Sequence, residues 1–125
     1  VAKVTIKSAK KRVIKQFMAQ YHGRPCEVCG STYGTCAHHY VGKGYCPHHI
    51  VSPENIIVLC QRHHGPYGKA MNPHSGCPDL VRQFEEWVEV YRPDIILWAA
   101  EHKNDTVANC GKIDWITLAE EGAFK

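Results

Sequence analysis

The chain has 125 residues, 44% of them hydrophobic, with a formal net charge of +3 and seven cysteines. That length fits one domain with a modest core, and no run of about eighteen apolar residues is present to span a membrane. An odd cysteine count with several at metal-ligand spacing argues against a disulfide framework. With a charged opening, "VAKVTIKSAKKRV", where a secretory leader would be apolar, the expectation is a reduced, cytoplasmic protein.

Charge is unevenly distributed. Residues 1–69 hold ten Lys/Arg against two acids, a net +8; residues 70–125 hold five against ten, a net −5. A polyanion such as nucleic acid would be drawn to the first part.

Residues 8–21, "SAKKRVIKQFMAQY", read as a basic amphipathic helix. Ile14, Phe17, Met18 and Tyr21 form its apolar stripe, and Lys10, Lys11 and Lys15 lie mainly opposite, as a solvated face or as phosphate contacts. Gly23 and Pro25 end it. "CEVC", residues 26–29, makes a tight knuckle. A short strand follows at 35–40, "TCAHHY", then a loop with Gly42, Gly44 and Pro47. A second strand, "NIIVLC", covers 55–60, rich in β-branched residues. A short helix begins near Cys60. Residues 26–70 thus form a strand–loop–strand–helix core too small to bury enough apolar surface alone, so a metal is expected to supply the missing stability.

Residues 72–79, "NPHSGCPD", read as a linker. A helical extension is expected over 79–103, with Leu80, Phe84, Trp87, Val88 and Tyr91 on one side and a break or kink at Pro93. In the tail, 104–125, Ile113, Trp115, Ile116 and Leu118 suggest a short strand or turn. The apolar face of 80–91 exceeds what the small core needs, so it either closes that core or forms a homodimer seam.

Two half-sites stand out: Cys26-x₂-Cys29 and Cys60-x₂-His63. Thiolate and imidazole suit tetrahedral Zn²⁺. A lone CxxC also fits redox chemistry, but its companion pair favours structural zinc. Cys36, Cys46, Cys77 and Cys110 read as incidental thiols, Cys46 being the substitute ligand to watch. With four protein ligands such a site is closed and does not activate water.

Chemistry would then fall to the remaining histidines. His38 and His39 alternate across the first strand and point to opposite faces. His64 follows a zinc ligand and points away from it. Packing the strand on the helix would let His38 and His64 approach one divalent ion, with His39 beside a substrate. That set suits phosphodiester hydrolysis, in which a cation stabilises developing charge and an imidazole deprotonates water. The Asn55 amide is placed to hold the loop between the strands.

The combination of "CEVC", "AHHY", "ENIIVLC" and "QRHHG" over residues 26–70 resembles the HNH, or ββα-metal, nucleases, and within them the lambdoid phage recombination (Rap-like) branch. The resemblance implies an α+β, zinc-stapled ββα-metal core with flanking helices and a DNA endonuclease using Mg²⁺ or Mn²⁺ and leaving 5′-phosphate and 3′-hydroxyl ends. It implies His39 as general base, Asn55 as the loop-orienting residue and His64 as metal ligand. His38 stands where the family often has Asp, and His63 where a cysteine is usual. His48 and His49 are rivals for the base, and His48 is a further candidate for the catalytic metal. Lys43, Arg62 and Lys69 are candidate DNA-backbone contacts, joining Lys10, Lys11 and Lys15. A phage origin would place the protein in a bacterial host cell. The alternative is a zinc-stabilised DNA-binding or recombination-accessory module without catalysis.

Overall fold

In the computed structural model, residues 5–65, 70–122 and 124 are described. The first helix, α1 (Ile6–Ala19), starts where Thr5 and Ser8 cap each other: the Ser8 N–H donates to Thr5 Oγ1, and the Thr5 N–H to Ser8 Oγ, both at 3.1 Å. This reciprocal arrangement satisfies two backbone donors that a helix start leaves open. The buried line on α1 runs Ala9, Val13, Phe17, with Ile14 and Met18 half-buried beside it. It begins further toward the N-terminus than the stripe expected from sequence. Lys10, Lys11 and Lys15 are exposed.

Strands β1 (Cys36–His39) and β2 (Ile56–Leu59) pair antiparallel, with Cys36 opposite Leu59 and His39 opposite Ile56. Every residue of β2 is buried. Its unbroken "IIVL" has a physical cause: both faces of this ribbon are covered, so alternation with polar residues would be costly. Ile56 and Val58 join Ala37, Phe17 and Tyr21 on the α1 side. Ile57 and Leu59 join Cys26, Cys60, Phe84, Val88 and Ile95 on the other. Short 3-10 turns at Pro47–His49 and Pro53–Asn55 fold the long loop between the strands. Asn55 therefore ends a turn and does not open the strand.

A one-turn helix, α2 (Gln61–His64), follows β2 directly. Next come α3 (Pro78–Tyr91) and α4 (Pro93–His102), each with a proline in its first turn. There the missing N–H costs nothing and φ is already helical. Phe84 and Val88 carry the core contact of α3, whereas Tyr91, expected on the same side, is 68% exposed. Arg92, between the two helices, donates to Glu27 Oε1 at 2.7 Å and to the Ile56 carbonyl at 3.2 Å. Glu27 in turn binds Val58 through its own N–H (2.9 Å) and through Oε2, which accepts the Val58 N–H at 2.6 Å. One arginine thus ties the knuckle, β2 and the α3–α4 junction together.

The tail differs from the strand or turn expected. It forms α5 (Val107–Cys110) and α6 (Trp115–Glu121). Asp114 caps α6 by accepting the Thr117 N–H at 3.0 Å. Trp115 and Ala119, four residues apart on one helical face, pack with Ala9, Val13 and Ile50. The result is α+β: a small antiparallel hairpin flanked by helices and carrying a Cys/His cluster, a zinc-stapled ββα-metal-like arrangement. No helix among the described residues is long and apolar enough to cross a membrane.

Candidate active site and metal centres

The knuckle is shaped by its backbone. The Cys26 N–H donates to the Ser31 carbonyl and the Gly30 N–H to the Cys26 carbonyl, both at 2.8 Å, with Gly30 at φ +78°. A side chain there would be strained, so glycine is required. The second pair sits where β2 becomes α2, with Cys60 as the cap residue and the His63 N–H on its carbonyl at 3.1 Å. The two halves converge: Cys26, Cys29, Cys60 and His63 place all their ligand atoms within 4.8 Å of one another. Cys29 Sγ lies 3.7 Å from Cys60 Sγ, and Cys60 Sγ lies 3.2 Å from His63 Nδ1. Zn–S bonds of roughly 2.3 Å in a tetrahedron require sulfurs about 3.8 Å apart, so the spacing suits zinc and is far too long for a disulfide. Cys60 titrates below its ordinary value. Burial opposes this, but the His63 N–H, the neighbouring Cys29 and Cys26 thiols and the Arg62 N–H outweigh it. His63 is held low by burial and by Arg62, so it offers a lone pair at neutral pH.

A second group gathers at a cavity of about 340 Å³ bordered by Ala37, His38, His39, Gly42, Lys43, His64 and His74. His38, His64 and His74 bring their ligand nitrogens within 4.8 Å. His64 Nε2 and His74 Nε2 are 3.1 Å apart, and His64 Nδ1 is 3.0 Å from Cys36 Sγ. Two nitrogens bound at about 2.1 Å to one ion lie roughly 3.0–3.4 Å apart, so this pair is already at chelating separation. Burial, with the nearby His64, His74 and His39 rings, drives His38 down to about 3. Burial, His74, Lys43 and His39 drive His64 down to about 4. Both rings are neutral near pH 7, the form that binds metal. Three imidazoles suit a borderline transition ion; Mg²⁺ prefers oxygen ligands and fits this donor set poorly.

His74 was not singled out in the sequence. It lies in the segment read as a linker, ten residues beyond His64, where spacing carries no signal. Asn72 puts it there. This side chain is fully buried, donates to the Gly65 carbonyl at 2.6 Å and accepts the His74 N–H at 2.7 Å. His48, offered by the sequence as a further ligand, is elsewhere: its Nε2–H donates to the Gly111 carbonyl at 2.7 Å. A short 3-10 turn aims it at the C-terminal segment and leaves His74 as the third imidazole.

His39 faces the α1 side of the ribbon, opposite to His38, yet both border the cavity. Its Nε2 lies 2.7 Å from the Ile50 carbonyl. A carbonyl only accepts, so Nε2 carries the proton and Nδ1 holds the lone pair. Burial, partly offset by that hydrogen bond and reinforced by Lys43, keeps the ring below its usual pKa. Asn55, 1% exposed, staples the loop: Oδ1 accepts the Val41 N–H at 2.7 Å, and Nδ2 donates to the Val41 and His49 carbonyls at 3.1 and 3.0 Å. Of the expected DNA contacts, Lys43 borders the cavity and Arg62 is exposed on α2. Lys10 lies 5.8 Å over the Trp115 ring. Lys69 lies outside the described residues.

Comparison with protein-family models, with curated proteins and with solved structures returns no match. What the fold and the cluster define is a class: a ββα-like core with a Cys₃His zinc-type site, consistent with the broad HNH, or ββα-metal, superfamily. The clustered His, Cys and Asp side chains suit metal binding in a nuclease-like fold.

Proposed function

We propose that this protein is a divalent-metal-dependent DNA endonuclease, cutting phosphodiester bonds to 5′-phosphate and 3′-hydroxyl ends. One observation carries the reading: a buried His39, its Nε2–H tied to the Ile50 carbonyl, borders the same cavity as three convergent imidazoles. His39 Nδ1 takes a proton from the attacking water, the step for which a neutral, fixed imidazole is suited. His38, His64 and His74 would hold the ion, and Asn55 keeps the loop that carries Ile50 in register. When bound, such an ion would supply charge stabilisation at the scissile phosphate and the leaving oxygen. Lys43 and Arg62 hold the DNA backbone without reading its sequence, with Lys69 and the α1 lysines as additional contacts. The donor set favours Mn²⁺ and other transition ions over Mg²⁺.

The likeness to lambdoid phage recombination nucleases extends this reading to structure-specific or loosely sequence-specific cutting of branched DNA. Paired cuts would suit a homodimer. Val90, Tyr91 and Leu97, large apolar residues exposed around the α3–α4 junction, support one. Light scattering at micromolar concentration is expected to give twice the chain mass, and a monomer would remove the dimer.

The decisive experiment incubates zinc-loaded protein with supercoiled, branched and single-stranded DNA in Mg²⁺, Mn²⁺, Co²⁺ or Ni²⁺. Cleavage is expected, strongest with a transition ion. His39→Ala should lower the rate by roughly 10²–10⁴-fold while zinc content and DNA binding persist. Unchanged turnover in that variant would take the base role from His39. Absence of cleavage by the folded wild type under every ion would leave only a DNA-binding module.

A further inference from the structure

A third group of metal-ligating side chains lies apart from the other two and shares no residue with them. His49 comes from the 3-10 turn in the loop between the strands, His102 from the last turn of α4, and Asp105 from the bend that follows. Asp105 Oδ2 lies 2.8 Å from His49 Nε2 and 2.7 Å from His102 Nδ1. The three ligand atoms all fall within 4.8 Å of one another.

We propose that His49, His102 and Asp105 form an additional site for a zinc-like divalent cation, which clamps the C-terminal extension to the loop beneath it. Four features of the geometry support this. First, the donors are two imidazoles and one carboxylate, a set that zinc accepts in three-ligand sites with an open fourth position. Second, the fit is close. Bonds of about 2.0–2.2 Å in a tetrahedron need ligand atoms roughly 3.3 Å apart, so each imidazole nitrogen need move only about half an ångström from the Asp105 oxygen.

Third, the outer contacts are those of a ligand. His49 Nδ1 lies 2.8 Å from Ser52 Oγ. A metal-bound imidazole requires an acceptor for its other N–H, and this hydroxyl provides one. Fourth, Trp98 walls the site, its ring 4.8 Å from each histidine ring.

Cys46, the thiol watched in the sequence as a substitute ligand, is turned instead toward the His102 and Lys103 carbonyls, 3.7 Å from each. The clamp acts on a consequential stretch of chain. The His49 carbonyl accepts from Asn55, and the next carbonyl, Ile50, accepts from His39. Cation binding here therefore stiffens the support of His39 from a site that does not border the cavity.

The test reads metal directly and needs no activity. Crystals of the full chain soaked in Zn²⁺ are measured at the zinc absorption edge. An anomalous peak between His49 Nε2, His102 Nδ1 and Asp105 is expected; none at saturating zinc overturns the proposal. In solution, elemental analysis of zinc-saturated Asp105→Asn and His102→Gln should give one equivalent of zinc fewer per chain than wild type. The thiolate-to-cobalt absorption of Co²⁺-loaded protein should stay unchanged, reporting an intact Cys₃His site. Equal zinc content in folded variants overturns the proposal. Should both variants unfold, the wild-type map alone decides.

Discussion

Asn72 is a polar side chain with no exposed surface, and such a group is tolerated only when its hydrogen bonds are met. Both are: one reaches back to Gly65, just past α2, and the other holds His74 forward. The residue is thus a positioning device for the third imidazole of the cavity. Asn72→Ala should lower Mn²⁺ or Co²⁺ affinity at the His38–His64–His74 group by roughly 10–100-fold, the usual cost of losing an outer-shell partner. It should also destabilise the fold by about 1–3 kcal/mol. Asn72→Asp keeps the acceptor for the His74 N–H and loses the donor to Gly65, so its affinity should recover part of the loss. Calorimetric titration beside urea unfolding separates the two effects. Equal affinity in all three proteins would show that His74 needs no such support.

Elements in this protein are short, and much of the binding between them runs through sulfur and one arginine. The hairpin has four residues per strand and α2 a single turn, well under the length at which either is stable alone. The Cys₃His group joins the knuckle to the β2–α2 junction, and two of its three cysteines, Cys26 and Cys60, belong to the core with Ile57, Leu59 and Phe84. Removing zinc should therefore melt the core and not merely loosen a loop. Chelation is expected to abolish the cooperative thermal transition, and Cys60→Ser should do so without chelator; a retained transition in metal-free protein would deny zinc its structural role. Phe84→Ala, with zinc bound, should cost about 3–5 kcal/mol.

This dependence also explains what could be read in advance. The half-sites and β2 were legible because ligand spacing and β-branched runs are local. Asn55 and the separation of His38 from His39 followed from turn chemistry and strand alternation. The tail was not legible. A seven-residue helix has too little periodicity, and its partner, α1, lies about a hundred residues earlier in the chain. His74 escaped for a related reason: its place is set by a buried amide anchored on another segment. The His49–His102–Asp105 group is assembled across more than fifty residues, a distance at which sequence spacing says nothing about proximity.

For the whole molecule the governing quantity is the division of charge. The first 69 residues, which contain the hairpin and most of the cavity, are strongly basic, and the remainder is acidic. On α3 alone, Asp79, Glu85, Glu86 and Glu89 are exposed. Under the proposed function a duplex would be repelled from that helix and drawn to the loop at Lys43 and the surface of α2 at Arg62, an orientation set before any base is touched. Binding of this kind releases counterions, so its logarithm should fall linearly with the logarithm of salt, by about 0.9 for each phosphate neutralised. Four contacts would cost roughly a hundredfold in affinity between 50 and 200 mM salt. Lys43→Ala should reduce the slope by about 1 and weaken all sequences alike, because a backbone contact positions without specifying. Lys11→Ala separates two roles for α1: a slope reduced by the same amount makes that helix part of the DNA surface, and an unchanged slope makes it a solvated face. Fluorescence anisotropy on a catalytically silent His39→Ala background gives these slopes without cleavage. A wild-type affinity that does not change with salt would show that the basic half does not meet phosphate at all.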